Sequence, residues 1–203
     1  MKIFAIGRNY IDHAKELNNP VPAEPMFFMK PDTALIRNNK PFFYPDFTQD
    51  LHHEVEIVLK LSKVGKSVAE KFAHRYYNEI GIGIDFTARD IQAKCKEKGF
   101  PWEIAKAFDG SAPVSGFVPI EKFSDVHQLN FHLDINGVTV QSGNTRDIIF
   151  SFEKVMSHIS KYITVKMGDL IFTGTPAGVG PIKIGDHLQA YIEDELMLDF
   201  FVR

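Results

Sequence analysis

Alternation of apolar and polar positions is the dominant pattern of this chain, and it predicts strands. Glu54 to Leu61 shows it most plainly. Val55, Ile57, Leu59 and Leu61 fall on one face; Glu54, Glu56, Val58 and Lys60 fall on the other. Lys2 to Gly7 reads as a short strand, followed by a helical turn through Leu17. Residues 18–50 hold most of the prolines and little periodicity, so irregular chain with short strands is expected there. Ser67-Val-Ala-Glu70 has the form of a capping box, with Val68, Phe72, Ala73 and Tyr76 following at helical spacing. Ile80-Gly-Ile-Gly-Ile-Asp85 reads as a buried strand whose glycines let other backbone approach closely. Thr87-Ala-Arg-Asp90 is placed to cap a helix reaching Lys98. Leu129 to Ile135, turned by Asn136-Gly137 into Val138-Thr-Val140, is the clearest hairpin. Phe152, Val155, Met156 and Ile159 mark an amphipathic helix, and the end of the chain returns to strands, closing with Glu195 to Val202. Strands with a few helices between them make the class α+β, not alternating βαβ.

Composition narrows the function classes. A chain of 203 residues suits one domain spanning 1–203. Its 23 basic against 26 acidic residues form no long block of either sign, so a nucleic-acid coat is not expected. Cys95 is the only cysteine, which excludes an intramolecular disulfide and any thiolate cluster. The longest apolar runs are four residues, Ile3 to Ile6 and Met26 to Met29, against about 20 for a membrane helix. The start at Met1 opens directly into patterned sequence. A soluble protein of a reducing, cytoplasmic setting is the expectation.

Three segments carry candidate chemistry. Glu54 and Glu56 lie two apart on a strand, so both point to one face about 7 Å apart at the backbone. Such a pair is either a solvated edge or part of a site. Three neighbours favour the site: His52 and His53 precede it, Asp85 ends a buried strand, and Lys106 sits in an apolar setting beyond a short helix. Three carboxylates without a cysteine suit a hard cation held by oxygen, Mg²⁺ with Mn²⁺ as a substitute. In Gly7 to Glu16, His13 and Glu16 are three apart on a helical turn. They form either a surface pair or an imidazole oriented as a general base. Thr173-Gly-Thr-Pro-Ala-Gly-Val-Gly-Pro181 lacks the endings of a P-loop and of a dinucleotide turn. It reads as a loop offering backbone N–H groups to a small anion, or as a plain turn between strands.

Together these segments closely resemble the fumarylacetoacetate hydrolase family, in its short branch of acylpyruvases and oxaloacetate-handling enzymes. The resemblance rests on Gly7-Arg-Asn-Tyr-x-Asp-His13, Phe28-x-Lys-Pro31, His52-His-Glu-x-Glu56, Asp85-x-Thr-Ala-Arg-Asp90, Gly99-x-Pro-Trp102, Ala105-Lys106-x-Phe108 and Thr173-Gly-Thr-Pro-x-Gly-Val-Gly180. It implies a β-rich roll or sandwich of mixed sheets, a homodimer, and Mg²⁺ or Mn²⁺ held by Glu54, Glu56 and Asp85. It also implies that Lys106 meets the substrate's oxo group or carboxylate, with Arg89, Gln92 and Thr175 nearby. His13 and Glu16 become a water-activating dyad on a segment that orders over the site. The implied reaction is metal-dependent hydrolysis of the C3–C4 bond of 2,4-dioxo acids to pyruvate and a carboxylic acid through an enolate, with oxaloacetate decarboxylation as a side activity. Tautomerisation, isomerisation or decarboxylation of the same enols stands as the alternative, and a non-catalytic metal- or metabolite-binding module as a further one. Asp32 and Ala107 stand where the resemblance leads one to expect serine.

Overall fold

The computed structural model describes residues 1–16 and 21–203. Its organising element is the strand Val55–Leu61, third from one end of a six-stranded sheet. The order runs Met26–Lys30, Ile3–Gly7, Leu170–Phe172, Val55–Leu61, Tyr77–Ile84, Val118–Pro119. Only Ile3–Gly7 and Leu170–Phe172 are parallel; the other neighbours are antiparallel. A four-stranded antiparallel sheet is built from Val138–Asn144, Asn130–Ile135, His187–Ile192 and Glu195–Phe201. Short ladders complete the frame, one joining Gly180–Pro181, Leu51–His53 and Thr87–Ala88. Mixed sheets with few, short helices agree with the α+β class read from the pattern and with the architecture that the resemblance implied.

The period-two pattern of the central strand separates two cores. Val55, Ile57, Leu59 and Leu61 join the larger one, while Val58 packs with Ile3, Ala5, Val114, Leu170 and Phe172 in the smaller. The second face therefore carries buried acids at its Glu54–Glu56 end and a partly exposed Lys60, paired with Glu79, at the other. A central strand covered on both sides must bury both sets of side chains. Gly83 shows the close approach expected of the glycine-rich strand: a Cβ there would lie 2.7 Å from the Phe172 ring. The Asn136-Gly137 hairpin forms with both residues at positive φ, 54° and 76°. The amphipathic helix is Phe152–Tyr162, capped by Ser151, whose hydroxyl accepts from the Lys154 N–H (3.2 Å).

Two helix starts differ from expectation. The Ser67 box does not cap: Ser67 sits at φ 51° and the helix is only Glu70–Ala73, with Ala69 before it. The Ser67 N–H is bound instead to Ser160 O (2.8 Å), and Val68 to Ser160 Oγ (2.8 Å), so tertiary contacts with the long helix override the local signal. Thr87 does not cap either. It belongs to a two-residue strand and donates to Asp85 O (3.2 Å), and the helix is Arg89–Lys98. Near the N-terminus the helical turn is Ile11–Glu16; Leu17 lies outside the described residues.

Candidate active site

Glu54 stands between the strands Leu51–His53 and Val55–Leu61, and Asp85 directly follows Tyr77–Ile84. The two strands are antiparallel, and their ladder ends with the Asp85 N–H donating to Glu54 O (2.8 Å). The register therefore sets Asp85 beside Glu54, with Glu56 one pleat further along. One carboxylate oxygen from each of the three lies within 4.8 Å of the others, and all three residues are buried. This is the cluster that the resemblance implied.

Its charges are unevenly matched. Lys106, the last residue of the short helix Glu103–Lys106, donates to Glu54 Oε2 (2.8 Å) and Asp85 Oδ2 (2.7 Å). Arg89 donates to Glu54 Oε1 (2.6 Å) and to Gln92 Oε1 (2.8 Å). Burial works against the Glu54 charge, but Lys106 and Arg89 outweigh it and hold the carboxyl far below its usual range. Burial works against the Lys106 charge too, and the Asp85 and Glu54 carboxylates reverse that and raise its pKa. Glu56 has no ion pair among the described residues; the Gly174 N–H donates to its Oε2 (2.7 Å). Burial, and then the negative charge of Asp85 and Glu54, push its pKa well above the ordinary carboxylate value. A buried carboxyl held near two others is where an added cation gains most. All three donors are hard oxygens, so the set fits a divalent ion such as Mg²⁺, Mn²⁺ or Ca²⁺.

Lys30, which the strand pattern does not single out, is the third cation paired with these acids. It is buried, and its Nζ lies 2.7 Å from Asp85 Oδ1. It also donates to the carbonyl of Lys106 and to Ser111 O and Oγ (both 3.0 Å). Burial lowers its pKa. Its one sequence signal is a lysine closing an apolar run inside Phe28-x-Lys-Pro31. Gln141 is also absent from the sequence-level candidates. Its Oε1 accepts from the Val55 N–H (3.0 Å) and pairs with His53 Nδ1 (2.8 Å), and its Nε2 donates to Thr175 Oγ1 (2.9 Å) and Pro176 O (3.0 Å).

Of the remaining candidates, His13, Arg89, Gln92 and Thr175 line the same cavity as the acids and Lys106, while Glu16 does not. Asp32 and Ala107 do not line it. His13 Nδ1 is 3.3 Å from Glu16 Oε2. Burial lowers the pKa of the imidazole, although the Glu54 charge and Glu16 oppose that. The glycine-rich loop proves to serve anions belonging to the protein itself. Its Gly174 N–H holds Glu56, and its Gly178 N–H donates to Glu16 (3.1 Å to Oε1). Gly174 adopts φ +105°, and a Cβ there would meet Asn9 Cβ at 2.6 Å, so the loop needs glycine to bring its N–H to Glu56.

Comparison with known proteins identifies relatives over nearly the whole chain. A family model described as "Fumarylacetoacetate (FAA) hydrolase C-terminal" matches residues 2–198. The mouse protein "Oxaloacetate tautomerase FAHD1, mitochondrial" is 45% identical over 201 residues, 99% of this chain and 91% of its own length. A protein from Yersinia pestis CO92 assigned to the fumarylacetoacetate hydrolase family superposes with a TM-score of 0.96 at 38% identity, covering 100% of this chain and 93% of its own. Fumarylpyruvate hydrolase from Pseudomonas aeruginosa, solved with Mn²⁺ and pyruvate, gives a TM-score of 0.92 at 31% identity, over 100% of this chain and 90% of its own. No helix among the described residues is long and apolar enough to cross a membrane. With a family model matching nearly the whole chain and relatives covered almost end to end, the protein belongs to the fumarylacetoacetate hydrolase family.

Proposed function

We propose that this protein is a Mg²⁺-dependent enzyme, able to use Mn²⁺, that interconverts the keto and enol forms of small 2-oxo dicarboxylic acids, oxaloacetate foremost. One observation carries the reading: a buried, hydrogen-bonded imidazole, His13, faces the same cavity as the carboxylate cluster and its cations. The higher identity to an oxaloacetate tautomerase than to a fumarylpyruvate hydrolase supports it.

Glu54, Glu56 and Asp85 would hold the ion, which supplies polarisation of the 2-oxo group and positive charge for the enol oxygen. Lys106 has three N–H donors and uses two on Glu54 and Asp85; the third is left for a substrate oxygen. Arg89, Gln92 and the Thr175 hydroxyl complete the polar wall. Thr175 is itself oriented, donating to Val55 O (2.9 Å) and accepting from Gln141. Glu16, fixed by the Gly178 N–H, keeps the proton of His13 on Nδ1 and leaves Nε2 to accept one. His13 then takes the C3 proton of the keto acid and returns it to oxygen, or the reverse.

Hydrolysis of the C3–C4 bond of 2,4-dioxo acids is the second reading, favoured by the same dyad, which can equally deprotonate water, and by the likeness to the Pseudomonas hydrolase. Decarboxylation of oxaloacetate needs the enol stabilisation without the base. A single catalytic unit over 1–203, acting as a homodimer in the cytoplasm, completes the proposal. The buried lone Cys95 suits a reducing compartment; the name of the mouse relative places that protein in mitochondria.

The test follows the enol absorbance of oxaloacetate with protein and Mg²⁺, beside pyruvate release from acetylpyruvate. Accelerated enol decay abolished by EDTA supports the tautomerase reading. Pyruvate release without enol acceleration replaces it with the hydrolase. Neither activity in metal-loaded protein overturns both.

A further inference from the structure

Two cations of the cavity have no part in the chemistry above. Arg8 and Lys96 both line it, from opposite sides in sequence: Arg8 follows the strand Ile3–Gly7, and Lys96 lies on the helix Arg89–Lys98. Lys96 is exposed and Arg8 half-buried, whereas the acids and Lys106 are buried, so these two cations stand at the mouth. Neither makes an ion pair among the described residues. Arg89, by contrast, is committed to Glu54 and Gln92. Lys96 is held in place by the Trp102 indole, its Nζ 5.7 Å from the ring centroid, and Trp102 packs edge-on against Phe28 at 6.0 Å.

The arrangement has a cost. Arg8 holds φ 59°, a left-handed conformation that suits glycine or asparagine and is strained in a long side chain. What enforces it is the clamped Asn9 next in sequence, whose side chain donates to Thr173 O (2.8 Å) and accepts from the Phe150 N–H (2.8 Å). Burial, then the like charges of Arg89 and Arg8, hold the Lys96 pKa below its ordinary value. A fold that strains one cation and sets it in the same cavity as a second, neither of them paired with an acid among the described residues, is arranged for an anion from outside. Deeper in, Glu54 and Asp85 are already paired with Lys30, Lys106 and Arg89.

We propose that Arg8 and Lys96 form a second anion subsite at the cavity mouth, which reads the distal carboxylate of a dicarboxylic 2-oxo acid. The proposal rests on the functional reading above and adds the residues that select a substrate with a charged far end over one with a neutral acyl group.

The experiment is calorimetry on the Mg²⁺-loaded protein with malate, lactate and oxalate. Malate and lactate share a chelating 2-hydroxy-acid end, and only malate has a distal carboxylate; oxalate reports on the inner site alone. The variants are Arg8→Asn, which suits the left-handed backbone, and Lys96→Gln. Each is expected to weaken malate at least tenfold while oxalate and lactate change by less than threefold. The kcat/KM for oxaloacetate should fall by a similar factor, mainly through KM. Malate weakened no more than oxalate, or a wild-type protein that binds lactate as tightly as malate, overturns the subsite and leaves the inner site standing. A wild-type protein that binds oxalate equally with and without Mg²⁺ overturns the functional reading and the subsite with it.

Discussion

At the scale of single residues, the site is a problem in compensating charge. Glu54 and Asp85 are served by lysine and arginine, while Glu56 has one backbone N–H donor and two acidic neighbours. Replacing Glu56 by glutamine should lower Mg²⁺ affinity at least tenfold by calorimetry, yet leave the metal-free fold no less stable, since a strained buried carboxyl is removed. Unchanged affinity would exclude Glu56 as a ligand. His13 is the second case. Burial pulls its pKa below 6.5, so the base form survives into mildly acidic solution. The acid limb of kcat/KM is therefore expected to have its midpoint below pH 6.5. His13→Ala should remove that limb along with at least a hundredfold of activity, while Mg²⁺ still binds; a limb that persists unaltered assigns the base to another group.

At the scale of elements, the glycine-rich loop and the four-stranded sheet position groups that they do not themselves contribute. Gly174 must hold φ +105° with its Cα face against Asn9. Gly174→Ala should cost about 1–3 kcal/mol of stability and several degrees of Tm, and should weaken Mg²⁺ because the N–H bonded to Glu56 shifts. A stable variant with weakened Mg²⁺ binding would still assign the loop its role; a stable variant with unchanged binding would not. Gln141 ties the strand Val138–Asn144 to the backbone of Val55, between two of the acids, and to Thr175. Gln141→Leu leaves the Val55 N–H without its buried acceptor, at about 1–3 kcal/mol. Thermal unfolding and oxalate affinity should fall together.

At the scale of the whole molecule, the site makes stability depend on pH and metal jointly. The folded pKa of Glu56 is raised, so the native state binds more protons than the unfolded one above pH 4.5, and Glu56 lowers stability as pH rises. The folded pKa values of His13 and His53 are lowered, so their contribution has the opposite sign: stability is lost as pH falls through 6.5. A bound divalent ion needs Glu56 ionised. The Mg²⁺-induced rise in Tm should therefore be larger at pH 8 than at pH 5.5; an equal rise at both would show Glu56 already ionised in the metal-free protein. Much of this molecule was legible from local pattern. Alternation marked the strand beside Glu54 that carries Glu56, Asn136-Gly137 marked the hairpin, and the helical spacing of Phe152 to Ile159 marked the helix that Ser151 caps, because each depends on neighbours in sequence. The acids, Lys106 and the His13–Glu16 pair were candidates by their spacing, and the resemblance gave them their roles. Ser67 and Thr87 misled as caps because distant partners, Ser160 and the Leu51–His53 strand, claimed their backbone for other conformations. Gln141 carries no local signal and Lys30 only its place at the end of an apolar run, since their partners Asp85, Ser111, Val55 and Thr175 lie 34 to 86 residues away. The sequence alone determined which residues could do chemistry and which strands would carry them. Only the tertiary structure decided which carboxylate was left short of positive charge, and which cations remained at the mouth for a substrate, because charge balance in a buried site is a sum over groups that meet only on folding.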